Sequence, residues 1–70
     1  MTLRQSDIES YADRIATGAA EDGTPWTLPG AYGEWLARRY GVTLTLGAGD
    51  YRLRDVAQQI ATRILEGKSR

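Results

Sequence analysis

Side chains able to do covalent chemistry are scarce in this sequence, and they lack the neighbours that would activate them. The seventy residues include no histidine and no cysteine. That removes the commonest general base, the commonest metal ligand and every thiolate. Ser6, Ser10 and Ser69 are the serines, but a serine nucleophile needs an activating base beside it. Carboxylates gather near the N-terminus as Asp7, Glu9, Asp13, Glu21 and Asp22. Their spacing does not match a calcium loop, which alternates oxygen donors around a central glycine. Gly47-Ala48-Gly49 lacks the Lys-Ser/Thr ending of a phosphate loop. These residues therefore predict no catalytic site, no metal and no cofactor.

What remains is the chemistry of surface contact. The chain carries nine basic and nine acidic residues, but they are sorted. Residues 1–35 hold two arginines against six carboxylates, a net −4, and residues 36–70 hold seven basic against three acidic residues, a net +4. Such asymmetry predicts a cationic region for an anionic partner. Arg38, Arg39, Arg52 and Arg54 are its candidate residues, and the same arginines would also keep a small sheet soluble. Trp26, in a loop between Pro25 and Pro29, is a candidate exposed anchor.

These residues need elements to hold them. Ser6-Asp7-Ile8-Glu9 reads as a capping box, and Ile8, Tyr11, Ala12, Ile15, Ala16 and Ala19 recur at helical spacing, which predicts a helix over about 7–19. Residues 21–30 hold two prolines and two glycines and read as a loop lying over the core through Trp26 and Leu28. A second helix is expected over about 30–40, its apolar stripe being Ala31, Tyr32, Trp35, Leu36 and Tyr40, with Gly41 ending it. Val42-Thr43-Leu44-Thr45-Leu46 then alternates with period two, as does Tyr51-Arg52-Leu53-Arg54. Joined by the turn Gly47–Asp50, they form a hairpin with Arg52 and Arg54 side by side on its outer face. In the competing reading Asp50 caps the last helix, Leu53 joins its stripe, and the second strand vanishes. The last helix covers about 55–66, with Asp55 and Gln58 as its cap and Gly67 as its end.

The expected fold is one small α+β domain: two helices, a β-hairpin and a C-terminal helix across the hairpin's apolar face. Its core is expected to hold Ile8, Tyr11, Ile15, Trp35, Leu36, Leu44, Leu46, Leu53, Val56, Ile60 and Ile64.

Three partial resemblances accompany this reading. Leu36-Ala37-Arg38-Arg39-Tyr40-Gly41-Val42-Thr43 resembles the first helix and turn of a helix-turn-helix reader, although Leu44–Gly49 makes a poor recognition helix. Residues 31–65 resemble the second half of acyl or peptidyl carrier domains through Tyr40-Gly41-Val42 and Leu53–Ala57, but the serine that would bear their phosphopantetheine arm is absent between Ser10 and Ser69. Trp35–Arg54, through Gly41–Leu46, resembles the β-hairpin docking domains of assembly-line synthases, which offer basic side chains to an acidic tail. None spans the chain.

The expected function is non-catalytic protein binding, as a docking adaptor or a small phage or mobile-element inhibitor of a larger host assembly. Its partner is expected to present an acidic surface. The alternative is a nucleic-acid-binding regulator, opposed by a pI of about 6.1, since such domains usually exceed about 9. No stretch approaches the ~20 apolar residues of a membrane span, and the N-terminus carries no apolar signal core, so the expected location is the cytoplasm. A homodimer remains open.

Overall fold

The computed structural model describes residues 4–68, without the side chain of Lys68. Ser69 and Arg70, counted above among the serines and the cations, lie outside the described residues. The elements in order are α1 (Gln5–Glu21), β1 (Thr27–Pro29), α2 (Gly30–Arg39), β2 (Asp50–Arg52) and α3 (Leu53–Lys68). The α+β class holds, with three helices and a two-stranded antiparallel sheet.

The pairing within the sheet differs from the expected hairpin. β2 pairs with β1, in the register Thr27↔Arg52, Leu28↔Tyr51 and Pro29↔Asp50. Residues 42–47 form neither helix nor strand. Their alternation is nonetheless real: Val42, Leu44 and Leu46 turn toward the core while Thr43 and Thr45 are exposed. Period two reports which side chains of an extended chain are buried, and says nothing of which backbone supplies the hydrogen bonds. The partner strand comes from the segment read as a loop. Pro29 has no N–H to donate, and it is tolerated because both strands of this sheet are edges.

Both ends of the second strand are tied down. The Leu53 N–H donates to the Trp26 carbonyl at 2.7 Å, and the Gly30 N–H to the Gly49 carbonyl at 3.2 Å. The Tyr51 hydroxyl donates to the Gly47 carbonyl at 3.0 Å.

α1 starts at Gln5, with Arg4 as its N-cap and no side-chain capping bond. The capping box at Ser6 and Glu9 is therefore overturned, since both residues lie inside the helix. α1 and α2 end alike. At α1, Gly23 (φ 95°) lets its own N–H reach the Ala20 carbonyl and the Thr24 N–H reach that of Ala19. At α2, Gly41 (φ 73°) does the same with Arg38, and Val42 with Ala37. This is the Schellman arrangement, which needs a residue at positive φ and so favours glycine. α3 begins two residues earlier than expected, with Leu53 buried on its stripe as in the competing reading, and it continues through Gly67.

α1 and α3 pack along each other. They run antiparallel, since Gln5 and Ile8 stand across a groove from Thr62 and Arg63, while Asp13 pairs with Arg54. α1 contributes Ala12, Ile15, Ala16 and Ala19 to the core, and α3 contributes Leu53, Val56, Ala57, Ile60 and Ala61. Leu28, Leu36, Ala37 and Leu44 complete it. Of the expected core, Ile8, Tyr11, Leu46 and Ile64 are only partly buried, and Trp35 is not in it.

Candidate interaction surface

Trp35 is 47% exposed, and the reason lies in the small residues around it. The buried stripe of α2 is Gly30, Gly33, Leu36 and Ala37. A Cβ on Gly30 would run into the Gly47 carbonyl oxygen, and one on Gly33 would stand 2.6 Å from Leu46 Cδ1. The glycines let the 46–47 segment and α3 close onto α2. At 3.6 residues per turn, Ala31, Trp35, Arg38 and Arg39 then fall on the opposite side. A stripe drawn through the large apolar residues alone was rotated onto the wrong face.

At the edge of that face the partly buried Tyr32 packs against Trp35 in a tilted arrangement, with ring centroids 5.1 Å apart and planes inclined at 58°. The Arg39 guanidinium lies 5.4 Å from the Trp35 centroid, within cation–π range. The same guanidinium pairs at 3.4 Å with Asp22, which caps the end of α1. Arg38 is exposed and has no ion pair among the described residues.

Next along the chain, Tyr40 is 39% exposed. With Tyr11, Arg14 and Ile15 of α1 it lines a notch of about 230 Å³. The surface therefore continues from Trp35 through Arg39 and Tyr40 onto Arg14.

The other expected binding residues are dispersed. Arg52 is exposed on β2 opposite Thr27. Arg54 lies in the first turn of α3 and pairs at 2.7 Å with Asp13. The shared hairpin face for Arg52 and Arg54 is thus overturned. Trp26 is 61% exposed, while its neighbour Leu28 is fully buried. Charge sorting along the chain also has an internal outcome. The acidic half and the basic half meet in Asp13–Arg54 and Asp22–Arg39, so folding engages part of each sign with the other.

Two further grooves flank α1. One, between α1 and α3, is lined by Gln5, Ile8, Asp55, Gln58, Gln59, Thr62 and Arg63. The other gathers Glu9, Ser10, Asp13, Arg54 and Gln58. Among the described residues no three metal-ligating side chains stand together, and no helix is long and apolar enough to cross a membrane.

Trp35, Tyr40, Tyr11 and Arg14 were missed as surface groups. A signal existed for two of them. Gly30, Gly33 and Ala37 mark a stripe of small residues facing away from Trp35, and Arg14 has no carboxylate three or four residues to either side. Comparison with family models, curated proteins and solved structures finds no match to this chain.

Proposed function

We propose that this chain is a non-catalytic protein-binding module that engages an acidic surface of a larger cytoplasmic protein through the outer face of α2. Trp35 is the anchor, and Arg38 and Arg39 are its charged rim. Either a docking adaptor or a small inhibitor would act this way. One observation carries the reading: both tryptophans stand outside a core built from leucine, isoleucine, valine and alanine. Leaving half of a tryptophan in water keeps on the order of 100 Å² of apolar surface exposed, forgoing about 2–3 kcal/mol that a core position would gain. A small domain has little stability to forgo, so a tryptophan held outside, stacked under an arginine, favours an intermolecular role. Trp, Tyr and Arg are also the residues that dominate binding hot spots.

Immobilised protein, incubated with lysate of its source cell, tests this. The parent should capture a defined protein whose retention falls as salt rises. Trp35→Ala should lose it and Arg38→Gln should weaken it, each with a melting temperature close to the parent's, while Thr17→Ala should do neither. Capture unchanged in Trp35→Ala removes α2 as the interface. Capture abolished by nuclease treatment replaces the protein partner with a nucleic acid.

A further inference from the structure

We infer that the notch between α1 and the end of α2, lined by Tyr11, Arg14, Ile15 and Tyr40, receives a single carboxylate-bearing residue from an acidic segment of a partner protein. The inference deepens the protein-binding reading and rests on it. At about 230 Å³ the notch lies below the roughly 300–1,000 Å³ of small-molecule pockets, so it suits one side chain of a larger ligand. Its materials suit a carboxylate on an apolar stem. Ile15, almost fully buried, is the floor, and Tyr11 and Tyr40 are the walls.

Arg14 is the charge. Within α1 its neighbours one turn away are Ser10, Tyr11, Thr17 and Gly18, none of them able to neutralise it. No ion pair engages it from another element among the described residues. Asp22, the acid where α1 meets the end of α2, is already held by Arg39. A forked guanidinium with open donors, beside two aromatic rings, matches a carboxylate in charge and in geometry.

Gly18 is a second and independent observation. It lies inside α1, where glycine costs about 1 kcal/mol relative to alanine. Gly30 and Gly33 are explained by the chain that closes onto them. Gly18 is not, because a Cβ there would meet nothing within 4 Å. By helical spacing Gly18 falls on the flank of α1 that carries Tyr11 and Arg14, one turn beyond Arg14. Gly18 does not itself line the notch, but the space over it is open and adjoins Arg14, so a molecule from outside could extend along it.

Nitrogen-15 NMR titration of the full chain tests this with three probes: a short synthetic peptide alternating glutamate and leucine, its lysine–leucine counterpart, and an oligothymidylate. The acidic peptide should shift the amide signals of Tyr11, Arg14, Gly18 and Tyr40 saturably, with high-micromolar affinity. Arg14→Gln should weaken it about tenfold, the loss of one charge-assisted hydrogen bond. Gly18→Leu should abolish the shifts while melting no lower than the parent, and Arg14→Gln carries the test alone if Gly18→Leu fails to fold. Four outcomes overturn the inference: no shift with the acidic peptide, equal shifts with the basic one, tighter binding of the oligothymidylate, or the same shifts on concentrating the protein alone. Trp35→Ala should leave this titration unchanged. A silent notch with lysate capture still dependent on Trp35 would therefore refute the notch and spare the α2 interface.

Discussion

Gly30→Ala measures how tightly the 46–47 segment is seated on α2. The new Cβ would collide with the Gly47 carbonyl oxygen and stand 3.3 Å from both Leu46 Cβ and Tyr51 Cε1. The oxygen cannot simply withdraw. It accepts the Tyr51 hydroxyl, and two residues on, the Gly49 carbonyl accepts the Gly30 N–H itself. Overpacking of this kind costs about 1–3 kcal/mol, and Gly30 is the first helical residue, where the gain in helix propensity is below the ~1 kcal/mol of a helix interior. A net loss of about 0.5–2.5 kcal/mol is expected, and at ~4–8 °C per kcal/mol for a domain of this size the melting temperature should fall by roughly 2–20 °C. Gly18→Ala is the control. The same methyl meets nothing there, so the ~1 kcal/mol of helix propensity should raise the melting temperature by about 4–8 °C. Far-UV circular dichroism melts of the two variants and the parent, at one protein concentration, read both effects. A Gly30→Ala variant melting at or above the parent would refute the close seating of 46–47, and with it the account of why Trp35 faces outward.

Gly33→Ala should change stability little, because the nearest atom, Leu46 Cδ1 at 2.6 Å, ends a side chain that can rotate away; a melting temperature lowered as far as in Gly30→Ala would contradict this. Ile60, fully buried on α3, should cost about 2–5 kcal/mol as alanine. That is a large part of the ~4–10 kcal/mol expected for a chain of this length, and urea denaturation followed by tryptophan fluorescence would show it. Asp13 and Arg54 form a close pair, but their side chains are 62% and 64% exposed. A double-mutant cycle with Asp13→Asn and Arg54→Gln should therefore give a coupling of no more than about 1 kcal/mol, and a larger value would mean that the pair is shielded from water.

Much of this protein is local and was fixed by the sequence alone. The spacing of Ile15, Ala16 and Ala19, and of Val56, Ile60 and Ala61, placed two helices and their inner faces, because helical periodicity is a property of neighbours. Gly41 ended α2 where a positive φ is needed, and Arg38 and Arg39 occupy its last turn, for reasons contained in a few residues. The inward turn of Val42, Leu44 and Leu46 was likewise legible. Tertiary structure decided what depends on residues far apart. Which strand β2 pairs with was not written in its alternation, because backbone donors and acceptors carry no side-chain label, and the segment around Leu28 supplied them despite Pro29. Which side of α2 faces the core was set by how closely Leu46, Gly47 and Val56 approach Gly30 and Gly33. Among the described residues, Asp13 meets Arg54 because α1 packs against α3, and Asp22 meets Arg39 because the end of α1 meets the end of α2. Arg54 is engaged for that reason, and Arg14, with no carboxylate within a turn on its own helix, has no ion pair among the described residues.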